Sequence, residues 1–147
     1  MGLKIMGIRR AKKSDVNKIF QMINELENFS LDKNSFLKIF YNNLKNKQIF
    51  YVVSEHGGKT VGFISLHIQK LLHHAGKVAE IQELFVDSAM RGHGVGEKMI
   101  KYVKRIAQEE NCDSLETTSN IKRKRSHKFY QNKAGLIRSH YKFTQKL

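Results

Sequence analysis

Glu80-Ile81-Gln82-Glu83-Leu84-Phe85-Val86-Asp87 followed by Met90-Arg91-Gly92-His93-Gly94-Val95-Gly96 is the stretch that decides how this chain folds. The first half carries Ile81, Leu84, Phe85 and Val86, the residue types that suit a strand. The second half is a glycine loop, and Glu97 to Glu110 then places Met99, Ile100, Val103, Ile106 and Ala107 on one helical face. Glycines between a strand and a helix let the backbone approach a ligand closely. The free N–H groups at the helix start then point at an anion, aided by the helix dipole. Diphosphate binding is the chemistry implied. A nucleotide-binding loop ending Gly-Lys-Ser/Thr is excluded, because Gly96 is followed by Glu97-Lys98. A dinucleotide fingerprint is excluded too: its third glycine would fall at Glu97.

Outward from this centre, Leu3 to Arg9 reads as a first strand. Ser14-Asp15 opens a helix, with Ser14 as the cap and Val16, Ile19, Phe20, Ile23 and Leu26 on its apolar face. A second helix starts at Asn34-Ser35, with Phe36, Ile39, Phe40 and Leu44 inward. Gln48 to Ser54 and Thr60 to Ile68 are strands joined by a turn at Gly57-Gly58, and Lys77 to Val86 is the next strand. Beyond the central helix, Leu115 to Ser119 is a strand and Arg125 to Asn132 a short helix. Gly135 breaks that helix, and Leu136 to Thr144 supplies one or two last strands. The order β-α-α-β-β-β-α-β-α-β implies an α/β (α+β) architecture, a mixed sheet with helices on both faces. With no proline, no repeat and no linker, residues 1–147 are expected to form one domain.

The flanks of the loop carry a resemblance. An Arg-Gly-x-Gly-x-Gly loop after a strand ending Leu-x-Val is similar to the coenzyme A loop of the Gcn5-related N-acetyltransferase (GNAT) superfamily. Thr118-Ser119-Asn120 resembles the end of that family's fifth strand. Arg125-Ser126-His127-Lys128-Phe129-Tyr130 with Gly135 resembles its Ala-x-x-Phe-Tyr-x-x-x-Gly-Phe motif, with Ser126 and Leu136 in place of Ala and Phe and one extra residue before Gly135. The tail Ser139 to Leu147, with Glu80 to Leu84 and Asn120 to Arg123, is similar to the aminoalkylphosphonate N-acetyltransferase branch, and 6'-type aminoglycoside enzymes share parts of it. The likeness is sharp from about Glu80 onward and topological before it.

The resemblance implies a GNAT fold with a mostly antiparallel sheet, and acetyl-CoA as cosubstrate. It implies acetyl transfer to the primary amine of a small molecule (an amino acid, an aminoalkylphosphonate or similar) by direct attack in a ternary complex. Leu84, Phe85, Val86, Arg91, Gly92, His93, Gly94, Val95, Gly96 and Asn120 would then hold the cofactor, with main-chain amides around Phe85 and Val86 polarising the thioester. Tyr130 would be the acid for the CoA thiolate. A free alkylamine titrates near the lysine value, about 10.4, so a base is required at neutral pH. Glu80 matches a base position of histone-type members, and Glu83 an acidic substrate position of polyamine-type members. Strand alternation sets these two on opposite faces unless a bulge intervenes. A protein-lysine or N-terminal acetyltransferase and an aminoglycoside acetyltransferase stand as alternatives.

A formal net charge of +14 attracts anions, which a phosphorylated cofactor satisfies as well as nucleic acid does. Lys122-Arg123-Lys124-Arg125 lies near the place that the resemblance gives to the 3'-phosphate of CoA. No aromatic RNA-binding strand or zinc pattern accompanies the charge, so a basic nucleic-acid module without catalysis is the distant rival. His67, His73 and His74 lack a second cluster, and no metal site is expected. No apolar stretch nears the roughly 20 residues of a membrane span. Cys112 is the only cysteine, which suits a reducing, cytoplasmic setting. Many enzymes of the resembled family are homodimers, and the same is expected here.

Overall fold

The computed structural model describes residues 6–147. Its elements are β1 (Met6–Arg10), α1 (Val16–Glu27), α2 (Lys33–Leu44), β2 (Ile49–His56), β3 (Lys59–Leu71), β4 (Gly76–Val86), α3 (Val95–Glu109), β5 (Ser114–Thr117) and α4 (Lys124–Asn132). The five strands form one sheet in the order β1-β2-β3-β4-β5. The first four pair antiparallel, and β4 pairs with β5 in parallel. The mixed α/β (α+β) sheet expected from the pattern is therefore present. The Leu3–Ile5 part of the expected first strand lies outside the described residues.

Strand alternation divides the core in two. Ile64, Leu66 and Ile81 face α3 and pack on its Met99, Ile100, Val103 and Ala107. Val53, Phe63 and Phe85 face the other way, against Val16, Ile19, Met22 and Ile23 of α1 and Phe40 of α2. The apolar spacing of α3 puts its inner face on the sheet as the 3.6-residue period requires.

Several local expectations shift. Ser14 does not cap α1. The helix starts at Val16, and Asp15 accepts hydrogen bonds from the Lys12 amide at 2.7 Å and from both terminal nitrogens of Arg9. Asp32 caps α2 instead, accepting from the Ser35 amide at 2.8 Å. Ile39 of α2 is 58 % exposed rather than inward, because the helix turns Phe36, Leu37, Phe40 and Leu44 to the core and leaves Ile39 at the margin of that face. Helix α3 begins two residues earlier than Glu97, at Val95. The last strands expected over Leu136 to Thr144 do not form. That segment pairs with no neighbour, and Ile137, Tyr141, Phe143 and Leu147 stand exposed. Alternating residues become a strand only when another strand offers its backbone groups, and the outer edge of β5 stays open.

Candidate active site

The site is built around a fork. β4 pairs with β5 only along Val78–Ile81, then continues to Val86 while β5 stops at Thr117. The Asp87 amide donates to the Val61 carbonyl at 2.8 Å, which makes that pair hydrogen-bonded. Antiparallel alternation then makes Phe63 and Phe85 the next bonded pair. The amides of Leu84 and Val86 therefore face the open side of the fork, and the amide of Phe85 is directed at β3. Arg91 closes the end: its Nε donates to the Val86 carbonyl at 2.9 Å, and its guanidinium lies 5.6 Å from the Phe85 ring centroid.

The glycine loop follows directly. Gly92 and Gly94 adopt φ of 81° and 78°, the left-handed region that other residues enter at a cost. Gly94 is the residue that precedes α3, and the first intrahelical bond runs from the Lys98 amide to its carbonyl at 3.1 Å. The amides of Val95, Gly96 and Glu97 thus have no acceptor within the helix and point out of its positive end. Gly96 has a second use. A Cβ there would lie 3.0 Å from Cζ of Phe129, so its absence lets α4 dock on α3. The His93 side chain takes another course: with Met6, His56, Met90 and Lys98 it lines a cavity of about 400 Å³ shared with β1 and β2.

Docked by Phe129, α4 delivers Tyr130 to the fork. The Tyr130 hydroxyl lies beside the side chain of Thr117, the last residue of β5, which itself donates to the Ile81 carbonyl at 3.1 Å. Burial pushes the Tyr130 phenol above its ordinary value. The extra residue before Gly135 is absorbed in a wide turn: the Phe129 carbonyl accepts from both Lys133 and Ala134, and the Leu136 amide reaches the Tyr130 carbonyl at 2.9 Å. Asn120 holds the loop before α4. Its Oδ1 accepts from the Lys122 amide at 2.9 Å and its carbonyl meets His127 Nε2 at 2.8 Å.

The two acids come together through a bulge. Ser65 is opposite Glu83 but Leu66 is opposite Ile81, so Gln82 is the extra residue on β4. Glu80 and Glu83 consequently share one face, the face covered by α1 and α2. The Ser65 hydroxyl donates to Glu83 Oε2, and Glu80 Oε1 accepts from Thr118 Oγ1 at 3.5 Å. Glu83 lies in the wall of a cavity of about 190 Å³ between these helices and the sheet. Tyr51 lines the same cavity. Its phenol is pushed up by burial and further by the Glu83 charge, and Asn43 Nδ2 donates to it at 2.7 Å. Ser65, Thr117, Tyr51 and Asn43 escaped the sequence reading. The signal available for Ser65 was a polar residue inside an apolar strand; it is fully buried.

Two other features bear on chemistry. Among the described residues no three His, Cys, Asp or Glu side chains converge as a metal would require. No helix among them is long and apolar enough to cross a membrane.

Comparison with known proteins agrees with this geometry. The model of the Acetyltransferase (GNAT) family matches residues 16–136. An aminoalkylphosphonate N-acetyltransferase of Salmonella typhimurium is 34% identical over 145 residues, 99% of this chain and 94% of that one. The fold is shared with the aminoglycoside N-acetyltransferase AAC(6')-Iy in complex with CoA, at a TM-score of 0.88 and 18% identity over 97% of this chain and 95% of that one. It is shared also with the 6'-N-acetyltransferase AAC(6')-Ih of Acinetobacter baumannii, at a TM-score of 0.85 and 13% identity, covering 97% and 99% of the two chains.

Proposed function

The chain belongs to the acetyltransferase (GNAT) family and is an acetyl-CoA-dependent N-acetyltransferase, and on that premise we propose that it acetylates the primary amine of a small molecule by direct attack in a ternary complex. The observation that carries this reading is the bulge at Gln82. It turns Glu80 and Glu83 to the same face, beside the fork that holds Tyr130.

Each part of the chain then has a task. The free amides of Val95, Gly96 and Glu97, in a loop set by Gly92 and Gly94, hold the diphosphate. Arg91 stays bound to Val86 and fixes the loop against β4. The open edge of β4 offers the amides of Leu84 and Val86 to the pantetheine arm and the thioester oxygen, where developing negative charge is stabilised. Phe85 packs beneath them, and Asn120 supports the loop on the far side of the fork.

The acceptor amine enters the cavity at Glu83. That carboxylate takes the ammonium proton, directly or through water, and the amine nitrogen then bonds to the thioester carbon. The C–S bond breaks, the sulfur leaves with a proton from the Tyr130 hydroxyl, and the second proton of the former amine nitrogen passes, directly or through water, to the Tyr130 oxygen, which restores the phenol. A phenol with the ordinary value of about 10 is protonated at neutral pH and can donate, and burial shifts Tyr130 further in that direction. Holding both partners in one cleft supplies the rest of the rate. Glu80 sits farther along the same face, tied to Thr118, and shapes the approach.

The test compares Glu83→Gln with Glu80→Gln by initial rates of thiol release at fixed acetyl-CoA across pH. Glu83→Gln should lose about 10²-fold or more in kcat, and Glu80→Gln far less. The reverse order would assign the base to Glu80. An exposed apolar tail with Ile137, Tyr141, Phe143 and Leu147, together with an unpaired outer edge on β5, supports a homodimer. Sedimentation of the full chain and of a form ending at Leu136 tests it. The free thiol of Cys112 and the use of acetyl-CoA support a cytoplasmic setting.

A further inference from the structure

Four aromatic rings lead from α2 down to Glu83. Phe36 and Phe40 stack with centroids 6.3 Å apart, Phe40 and Tyr51 stack at 5.3 Å, and Tyr51 meets Phe63 at 5.6 Å. Phe63 is the diagonal neighbour of Glu83 across the β3–β4 pair. Ile39 completes the rim, and none of the residues lining this cavity carries positive charge. Lys33 lies over the ring of Phe20, 5.8 Å from its centroid, outside the lining.

We infer that the acceptor is a small primary amine with an apolar body, an arylalkylamine or a branched alkylamine, which seats its hydrocarbon among Phe36, Phe40, Tyr51 and Phe63 and its nitrogen at Glu83. This rests on the acetyl-transfer reading above and specifies its substrate. The physical case has three parts. Aromatic faces and one carboxylate attract an ammonium group, while the lining offers an anion no cation and only the Tyr51 hydroxyl as a donor. A phosphonate in the same place would be desolvated without a cationic partner, facing the Glu83 charge, and burying an unpaired charge is costly. The volume of about 190 Å³ falls below the roughly 300–1,000 Å³ of drug-sized sites, so a small amine fills the cavity whereas most of an aminoglycoside would lie outside it.

The experiment measures kcat/KM by thiol release from acetyl-CoA for 2-phenylethylamine, isopentylamine and 2-aminoethylphosphonate. It uses the full chain and the variant Ile39→Arg, which adds a cation at an exposed rim position and spares the core. The unmodified protein should prefer the two apolar amines at least tenfold. In Ile39→Arg the ratio should move at least tenfold toward the phosphonate, with acetyl-CoA affinity unchanged by calorimetry. A preference of the unmodified protein for the phosphonate, or a ratio that Ile39→Arg leaves in place, overturns the inference while acetyl transfer stands. Absence of thiol release with every amine, although acetyl-CoA binds, refutes the transfer reading together with it.

Discussion

Gly94→Ala asks whether the loop before α3 grips the diphosphate through its main chain. Gly94 holds φ 78° and ψ 12°, and a Cβ there would meet only Glu97 Oε2, at 3.9 Å. Sterics therefore do not forbid alanine; the left-handed backbone does, at roughly 1–2 kcal/mol. That strain must be met in the complex, where the amides of Val95, Gly96 and Glu97 face the ligand only in this geometry. In the free protein the loop has a choice. If it rotates to relieve the strain, the whole amount appears as lost affinity, about five- to thirtyfold in Kd. If it stays, the amount appears as lost stability, a fall of roughly 2–8 °C in Tm. The two losses, measured by calorimetry with acetyl-CoA and by thermal unfolding without it, should add to about 1–2 kcal/mol. S-acetylpantetheine, which lacks the diphosphate, supplies the control, and its affinity should not fall. A variant with the stability and the acetyl-CoA affinity of the parent would refute the assignment. So would an equal loss of affinity for both ligands.

Tyr130→Phe should lower kcat by about 10²–10⁴-fold, the ordinary worth of a general acid, with acetyl-CoA affinity preserved. The raised phenol pKa keeps the acid form present past the ordinary tyrosine value of about 10, so any alkaline fall in rate due to Tyr130 begins above it and is missing from the variant. Full turnover in Tyr130→Phe across pH would remove it from the mechanism. Arg9→Met should destabilise the fold by about 2 kcal/mol, since Asp15 is only 8% exposed and loses a two-point contact. Arg9 holds the Asp15 carboxyl below its ordinary pKa, so this contribution is present above the unfolded value of about 3.9 and fades as pH falls through the lower folded value. Urea unfolding of both proteins at about pH 7 and about pH 2 should show the gap narrowing; a gap of constant size would show that Arg9 acts through packing instead.

Much of the site was legible because its signals are local. The loop from Arg91 to Gly96 needs positive φ at fixed positions, and the helix after it announces itself by its apolar spacing. Phe129 and Tyr130 were readable as a pair, although only the structure shows that Phe129 fills the space left by the missing side chain of Gly96. Ile39 and the tail misled for one shared reason. An apolar residue declares that it can be buried, and its burial depends on a partner that periodicity does not describe. Ser14 misled because its neighbour Asp15 is held by Arg9, six residues back, and by the Lys12 amide, a short turn that delays the helix to Val16.

From the sequence alone came the element order as far as α4, the mixed sheet, the glycine loop and the identity of the residues around it, because backbone preference and hydrophobic period act within a few residues. The relation of Glu80 to Glu83 needed the tertiary structure. Period 2 sets them on opposite faces, and a single extra residue, Gln82 against the Ser65–Leu66 step of β3, puts them on one. The aromatic wall beside Glu83 is of the same kind. Phe36 and Phe40 come from α2 and Tyr51 and Phe63 from two strands, and only the packing of helix on sheet brings their rings together.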